Sequence, residues 1–148
     1  MFTKILLATD GSENSLRAAK EAKELALKFN SKVTILYVGQ IPIMNLLSYH
    51  GTMIKDPILP EDIEKQIEKN AKKSLELTAE IFSDTNLVVE EKFMFGNPEE
   101  TIMDLAKEEN YGIIVMGRRG ISGLNKYFLG TVSDRVAHFT PCSLLIVN

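Results

Sequence analysis

The sequence predicts a single α/β domain built on an open parallel sheet, with helices on both faces of the sheet. Apolar runs alternate along the chain with segments of helical period, which is the pattern of a β/α protein. Most of these runs are short and nearly continuous, as expected of strands buried on both faces. The chain of 148 residues has the usual size of one domain and contains no internal linker or repeat. We therefore expect one domain over residues 1–148.

The first strand and the first helix are joined by a short polar turn. Residues 4–9 form an apolar run that breaks at Asp10-Gly11, and Ser12 suits the N-cap of the helix that follows. This helix is predicted to end at Asn30-Ser31, and residues 33–38 are predicted to form the second strand. The apolar residues at helical spacing in the first helix are Leu16, Ala19, Ala22, Ala26 and Phe29.

A long connection, residues 39–60, follows the second strand and has no clean period. Connections of this length are usually functional or mobile. The second helix is predicted to follow Pro60, and one stripe along it consists of Ile63, Ile67, Ala71, Leu75, Thr78 and Phe82. Residues 87–95 are expected to form the third strand. Charges at Glu90, Glu91 and Lys92 predict that this strand lies at an edge of the sheet.

The last part of the chain continues the alternation of strands and helices. Gly96-Asn97-Pro98 is predicted to turn into a third helix, which carries Ile102, Leu105 and Ala106. Residues 113–116 are apolar throughout, which predicts a central fourth strand. Residues 131–139 are predicted to form the fourth helix, and residues 143–147 the fifth strand.

Composition and charge argue against several partners and compartments. The formal net charge is −3, whereas a nucleic-acid-binding protein usually carries a strongly basic balance. No run approaches the ~18 apolar residues that cross a bilayer, and the first apolar run is too short for a signal peptide. The single cysteine, Cys142, cannot form an internal disulfide, which fits a reducing compartment. We expect a cytoplasmic protein without nucleic-acid or membrane partners.

The most unusual residues follow the first and fourth strands. In an open parallel sheet, ligands bind beyond the carboxyl ends of the strands, where the strand order reverses. The first strand runs into Thr9-Asp10-Gly11-Ser12, and the fourth runs into a glycine-punctuated loop over residues 117–131. Both strands are apolar, so we expect them to be neighbours whose turns face one crevice.

The glycine-punctuated loop has the features of a phosphate site. Such a site needs close approach of the backbone and free N–H donors, which glycines and a helix N-terminus supply together. Gly117 and Gly120 allow a tight turn against a ribose and a phosphate, and Gly130 with Thr131 opens the fourth helix toward an anion. The residues that would add hydroxyls or positive charge are Thr131, Ser133, Arg118, Arg119 and Lys126.

Asp10 has three candidate roles. Its carboxylate would accept a hydrogen bond from a ribose hydroxyl, or hold a magnesium-type cation through water. The local alternative is an Asx-type cap on the first helix, which is compatible with ligand contact. Neither G-x-G-x-x-G nor a P-loop is present, so the glycine spacing alone does not identify the ligand.

Other reactive side chains carry less information. His50 and His138 have no cluster of ligands at metal-binding spacing, so we expect structural or solvent-facing roles. Cys142 precedes an apolar strand, which favours a buried and inert thiol. Ser122 and Ser133 have no His–acid pair near them in the sequence, so no catalytic residue is assigned.

Several of these motifs resemble the universal stress protein family, and the resemblance covers nearly the whole chain. The family's opening is similar to residues 5–12, its third helix is introduced by Gly-x-Pro as in Gly96-Asn97-Pro98, and its fourth strand resembles Ile114-Val115-Met116-Gly117. ATP-binding members carry Gly-x2-Gly-x9-Gly followed by Ser or Thr. This chain has Gly117, Gly120, Gly130 and Thr131 in that register. It departs from the family at Tyr111-Gly112, where many members have an aspartate.

The resemblance implies a Rossmann-like fold of the adenine nucleotide alpha hydrolase type, with a five-stranded parallel sheet. It also implies that ATP, or AMP or ADP, is bound with Mg²⁺ or Mn²⁺ at the phosphates. Asp10 would lie near the ribose or the metal, and the backbone around Val38 would read the adenine. The complete set of implied nucleotide-binding residues is Ala8, Thr9, Asp10, Val38, Met116, Gly117, Arg119, Gly120, Gly130, Thr131, Val132 and Ser133.

The last strand predicts how the protein assembles. Leu144, Leu145, Ile146 and Val147 are too apolar for an exposed edge, which predicts pairing with a second copy, and family members are commonly dimeric through this strand.

The leading functional hypothesis is an ATP-binding module of stress response or signalling. One alternative is a slow ATPase or phosphotransferase, which needs a positioned base near the γ-phosphate. The other is a scaffold or chaperone-like protein that binds no nucleotide.

Overall fold

The computed structural model describes residues 1–41, 60–118 and 129–148. The described residues form five strands and four helices, as the sequence predicts. In chain order they are β1 (Lys4–Ala8), α1 (Glu13–Phe29), β2 (Lys32–Gly39), α2 (Pro60–Glu80), β3 (Val89–Phe95), α3 (Pro98–Glu108), β4 (Ile113–Gly117), α4 (Thr131–Phe139) and β5 (Ser143–Val147). Most of the predicted long connection, with His50, lies outside the described residues.

The five strands form one parallel sheet in the order β3-β2-β1-β4-β5. Ile5 of β1 is in register with Val33 of β2 on one side and with Ile113 of β4 on the other. The predicted neighbourhood of the first and fourth strands is therefore confirmed. The strand order reverses between β1 and β4, because the chain builds outward to β3 on one side before it crosses to the other.

Helices cover both faces of the sheet, which confirms the predicted architecture. Strand residues alternate between two apolar clusters, as the two-residue period of a strand requires. Leu7 and Ile35 pack with α1 and α2, whereas Leu6 and Leu36 pack with α3 and α4. The central strands β1 and β4 are buried on both faces, as their continuous apolar runs predict.

The predicted ends of α1 are confirmed. Ser12 is the N-cap and accepts a hydrogen bond from the N–H of Ser15, and Asn30 closes the helix in the left-handed region with φ 51°. Ala19, Ala22 and Ala26 are fully buried, whereas Phe29, at the same helical spacing in α1, is not. The Phe29 side chain is 40% exposed, because its ring packs edge-to-face on the ring of Phe2 and does not enter the core.

The second helix and the third strand differ at their ends from the prediction. Helix α2 ends at Glu80, so Phe82 lies in the following turn, where its N–H donates to the carbonyl of Ala79 at 2.9 Å. Its side chain is nevertheless buried in the core beneath α1 and α2. Strand β3 begins at Val89, two residues after the predicted start.

Strand β3 lies at an edge of the sheet, as its charges predict, and two of these charges have partners within the protein. Lys32 on the neighbouring strand lies 2.7 Å from Glu90, and Lys92 binds Glu109 at the end of α3. The charged residues thus tie the edge strand to its neighbours as well as discouraging pairing with other chains. Among the described residues, no helix is both long enough and apolar enough to cross a membrane.

Candidate functional site

The turn after β1 is a compact Asx-type turn. The Asp10 carboxylate accepts a hydrogen bond from the N–H of Ser12 at 2.9 Å, and the Ser12 hydroxyl in turn accepts from the N–H of Ser15. The predicted Asx-type turn at Asp10 is therefore present, but the residue that caps α1 is Ser12. Its carboxylate lies at the carboxyl end of β1, beside the point where the strand order reverses.

Helix α2 packs directly behind this turn. Gly11 has φ +77°, and a Cβ added to it would lie 2.5 Å from the hydroxyl oxygen of Ser74. The Ser74 hydroxyl donates to the carbonyl of Asp10 at 3.3 Å. A glycine is required here both by the left-handed backbone and by the closeness of α2.

Thr9 turns its hydroxyl into the protein, away from the other predicted ligand residues. This hydroxyl lies 2.8 Å from that of Thr78 on α2 and donates to that of Ser15 at 3.1 Å. The N–H of Thr9 donates to the carbonyl of Leu36 at 2.9 Å. Thr9 consequently lies in the β1–β2 ladder although β1 ends at Ala8.

The backbone of Val38 faces the space beyond the end of β1. The peptide groups of alternate strand residues point to opposite neighbours. The carbonyl of Leu36 points to β1, where it accepts from the N–H of Thr9. The carbonyl of Gly39 points to β3, where it accepts from the N–H of Gly96. The peptide groups of Val38 therefore point to the β1 side, past the residue at which β1 turns away.

Gly117 lies against the first turn of α1. A Cβ added to it would lie 2.8 Å from the carbonyl carbon of Asn14 and 3.0 Å from the Asn14 Cβ. Such contacts are closer than real Cβ atoms adopt, so helix packing alone explains the absence of a side chain. The sequence predicted that a ligand requires this glycine. Packing against α1 is a second reason for a glycine at this position.

The two described ends of the glycine-punctuated loop meet at one carbonyl group. The carbonyl of Arg118 accepts from the N–H of Gly130 at 2.9 Å and from the buried hydroxyl of Ser133 at 2.6 Å. The N–H of Arg118 donates to the carbonyl of Val147 at 2.7 Å, and its guanidinium donates to the side chain of Asn148. These contacts hold the start of α4 against the end of β4.

Helix α4 begins at Thr131, as predicted, with Gly130 as its N-cap. No side chain among the described residues caps this helix. The first N–H groups of a helix have no partner within it, so those of Thr131, Val132 and Ser133 present donors and the positive end of the helix dipole. Asp134 is the acidic residue of this turn, and its carboxylate lies 3.9 Å from the Nδ1 atom of His138.

The apolar residues of the predicted site share one face of the sheet. Ala8, Val38, Met116 and Val132 all pack on the core cluster beneath α3 and α4. Met116 is almost fully buried, at 5% exposure, and forms part of the floor of that region. Thr9, in contrast, joins the buried hydroxyls on the opposite side of the sheet, beneath α1 and α2.

Three residues predicted to lie at the phosphate site fall outside the described residues, namely Arg119, Gly120 and Lys126, and so does Ser122. In the described ranges, no group of three His, Cys, Asp or Glu side chains is arranged to hold a metal ion. The thiol of Cys142 is partly exposed, where the sequence predicted a buried one. Partial burial raises the pKa of this thiol, which keeps it protonated and unreactive.

The electrostatic neighbourhood of Asp10 includes Tyr37 on β2. Burial raises the pKa of Tyr37 above its ordinary value, and the Asp10 carboxylate adds to the effect because its negative charge disfavours a phenolate. The two side chains therefore lie within electrostatic reach of each other at the carboxyl ends of β1 and β2.

The comparison with known proteins decides the family. The profile described as "Universal stress protein family" matches residues 1–148, the full length of the chain. The chain belongs to the universal stress protein family. It is 34% identical to universal stress protein YxiE of Bacillus subtilis, over 100% of both chains.

Solved structures of universal stress proteins share this fold. The chain superposes on MJ0577 of Methanocaldococcus jannaschii with a TM-score of 0.81 and 25% identity, covering 99% of this chain and 96% of the other. A universal stress protein in complex with cAMP gives a TM-score of 0.67 at 24% identity, with coverage of 99% and 97%. One from Archaeoglobus fulgidus in complex with dAMP gives 0.64 at 18% identity, with full coverage of both chains.

Sequence reasoning missed the support that α2 gives to the site. Ser74 and Thr78 contact the turn after β1 from more than 60 positions away in the chain. One signal was present, because Thr78 lies in the apolar stripe of α2 and a buried threonine hydroxyl needs a partner.

Proposed function

We propose that this universal stress protein binds ATP, or a related adenine nucleotide, in the crevice where β1, β4 and α4 meet. The observation that carries the proposal is the start of α4, whose first-turn N–H groups lack a side-chain cap among the described residues. A helix N-terminus in this state binds anions, and here it is fixed to the end of β4 by the carbonyl of Arg118.

The phosphates would be held by the backbone of Gly130, Thr131, Val132 and Ser133. The single hydroxyl proton of Ser133 faces the carbonyls of Arg118 at 2.6 Å and Gly130 at 3.1 Å, so Ser133 would contribute its N–H to the ligand. Arg119 and Gly120 complete the proposed phosphate site on sequence grounds.

The adenine would lie beyond the end of β1, where the peptide groups of Val38 offer one donor and one acceptor. Ala8 and Met116 provide apolar surface on the same face of the sheet, which suits a flat base. Structures of proteins with this fold have been solved in complex with cAMP and with dAMP, and both ligands contain adenine.

Asp10 would accept from a ribose hydroxyl or hold Mg²⁺ or Mn²⁺ through water. Mg²⁺ is usually bound by one or two carboxylates together with the phosphates of the substrate. The described residues provide no group of three acidic or imidazole ligands, so such a cation would arrive with the nucleotide and rest mainly on its phosphates.

A binding role fits these residues better than a catalytic one. Hydrolysis requires a group that orients water at the γ-phosphate, and Asp10 is the candidate that the sequence offers. One oxygen of the Asp10 carboxylate already accepts the N–H of Ser12. The proposed role is a cytoplasmic module of stress response or signalling that responds to its bound nucleotide. A slow ATPase is the alternative.

The proposal also includes a homodimer formed through β5, the edge strand on the β4 side of the sheet. All four residues from 144 to 147 are only partly buried although all are apolar. Pairing with the same strand of a second copy would cover this edge.

The decisive experiment measures ATP binding by wild type and Gly130→Val. Gly130 has φ −63° and ψ 157°, which any residue adopts, so the variant is expected to fold. Its side chain would obstruct the approach of phosphate, and loss of one or two charge-assisted hydrogen bonds weakens binding roughly 10- to 100-fold. Isothermal titration calorimetry with ATP and Mg²⁺ gives the dissociation constant.

Thr140→Val, at the opposite end of α4, is the matched control and should bind as wild type does. Failure of wild type to bind ATP at millimolar concentration would contradict nucleotide binding and favour the scaffold reading. Equal binding by Gly130→Val would move the ligand elsewhere. A phosphate-release assay with and without Mg²⁺ distinguishes a binding module from a slow ATPase.

A further inference from the structure

A cluster of buried hydroxyl groups joins α2 to the turn that carries Asp10. Thr9, Ser15 and Thr78 are 7%, 4% and 0% exposed. The Thr9 hydroxyl lies at the centre, bonded to the hydroxyls of both other residues, and it also accepts the N–H of Gly11 at 3.2 Å. One side chain of α2 is thus connected to the turn through a single threonine.

The protons of this cluster are fully used. The three hydroxyl groups carry three protons, because each can donate one hydrogen bond. Four contacts call for a hydroxyl donor: Thr9 with Ser15, Thr9 with Thr78, Ser15 with the carbonyl of Ser12 at 2.9 Å, and Thr78 with the carbonyl of Ser74 at 2.7 Å. Thr9 donates to Ser15 and Ser15 to the carbonyl of Ser12, so Thr78 divides its one proton between Thr9 and the carbonyl of Ser74. No proton is left over for a ligand, so the cluster serves the protein itself.

Two further contacts limit movement of the same turn. The Ser74 hydroxyl donates to the carbonyl of Asp10, and Gly11 lies so close to Ser74 that no Cβ fits between them. The turn is therefore held from the α2 side at both of its central residues. On its other side, the Asp10 carboxylate accepts the N–H of Ser12.

We propose that Thr78 is a positioning residue for nucleotide binding, which acts through Thr9 to hold the Asp10 turn in its binding shape. The inference rests on the proposed function, because it concerns the same site. Thr78 lies on α2 with its side chain fully buried, so it influences a ligand through the turn and makes no contact with it. Removal of its hydroxyl loosens the turn without altering any group that faces the crevice.

The test compares Thr78→Val, Thr78→Ser and the matched control Thr34→Val. Thr34 is also fully buried, and its hydroxyl is bonded to that of Tyr111 at 2.8 Å on the opposite face of the sheet. Both valine variants lose one buried hydrogen bond and should be destabilised alike. The serine variant keeps the hydroxyl and should behave as wild type.

The first readout is amide hydrogen exchange at Gly11 and Ser12 in protein without nucleotide. Exchange should accelerate about fivefold in Thr78→Val, which is the effect of about one buried hydrogen bond. It should stay at the wild-type rate in Thr34→Val and in Thr78→Ser. Wild-type exchange in Thr78→Val, or equal acceleration in both valine variants, would overturn the proposal.

The second readout is the dissociation constant for ATP with Mg²⁺. It should rise about fivefold in Thr78→Val and remain unchanged in Thr34→Val. An equal rise in both valine variants would show that lost stability is the cause, and the proposal would then be wrong. If wild type binds no ATP, nucleotide binding is refuted, while the exchange measurement still decides whether Thr78 holds the turn.

Discussion

At the residue scale, Gly117 lies where both helix packing and the proposed nucleotide site require a residue without a side chain. A Cβ at this residue would meet backbone atoms of Asn14 at 2.8 Å and 3.0 Å, and backbone cannot rotate aside as a side chain can. We expect Gly117→Ala to lower the free energy of unfolding by about 1–3 kcal/mol even without nucleotide, because overpacking forces the backbone to shift. Urea denaturation of the ligand-free protein measures this change.

Gly130→Ala is the natural comparison for Gly117→Ala. Its backbone conformation, φ −63° and ψ 157°, is open to every amino acid, so the stability of this variant should stay near that of wild type. Wild-type stability in Gly117→Ala would contradict the requirement that packing against α1 places on this residue.

The residue scale is also where sequence reasoning reached its limit. The glycines and Asp10 stand out in the sequence because their residue types suit turns and anions. The closeness of Asn14 to Gly117, or of Thr78 to Thr9, depends on how helices pack on a sheet. No local pattern contains that information. The sequence therefore pointed to the glycines and Asp10, but it could not show which of them the fold requires and which a ligand would require.

At the element scale, Glu109 joins the end of α3 to two strands. Its carboxylate binds Lys92 on β3, accepts from the Tyr111 hydroxyl at 3.1 Å, and lies 3.9 Å from Lys4 on β1. The hydrogen bond from Lys92 is the main cause that holds the pKa of Glu109 below its ordinary value. The Tyr111 hydroxyl and the charges of Lys92 and Lys4 lower this pKa further. Tyr111 contributes its hydroxyl to this network.

The lowered pKa of Glu109 predicts a loss of stability in acid. A carboxyl group whose pKa is lower in the folded state stabilises the protein above its unfolded pKa, about 4.3, and this contribution is lost as the pH falls further. We expect Glu109→Gln to be less stable than wild type at pH 7, and the difference should shrink as the pH falls through the folded pKa. Urea unfolding at a series of pH values measures it.

Glu108→Gln provides the control for this pH dependence. Glu108 is exposed, and no ion pair joins it to another of the described residues, so its substitution should leave the pH profile unchanged. A constant difference between Glu109→Gln and wild type at all pH values would contradict the role of the ion pair. Added salt should also reduce the difference, because the Glu109 side chain is partly exposed.

The secondary-structure elements themselves were largely predictable, whereas the end of α2 and the start of β3 were not. Periodicity fixed the existence and type of each strand and helix, because the period follows from which faces are buried. Phe82 is an example at a helix end. It continues the helical spacing of the apolar residues of α2, but it lies in the turn after Glu80 and is buried there. Thr9 is an example at a strand end, because its N–H still bonds to the carbonyl of Leu36 on β2 one residue past the end of β1.

At the scale of the whole molecule, the sheet order brings the two candidate motifs together. The Asp10 turn and the start of the glycine-punctuated loop are nearly 110 residues apart in the chain, yet β1 and β4 are adjacent and parallel. Their carboxyl ends therefore open on the same edge of the sheet, at the point where the strand order reverses. This arrangement could be predicted because both strands are apolar throughout and so belong at the centre.

The open edge of β5 is the remaining large-scale feature, and it leads to a prediction about assembly. The carbonyl of Val147 faces β4, where it accepts from Arg118, so the peptide groups of Ile146 face away from the sheet. Ile146→Pro removes an outward N–H while it leaves the ladder with β4 intact, as an edge strand tolerates. We expect wild type to be a dimer at micromolar concentration by light scattering, and Ile146→Pro to be a monomer. Ile146→Ala loses similar packing but keeps the N–H, so it should remain a dimer; a monomeric wild type would refute pairing through β5.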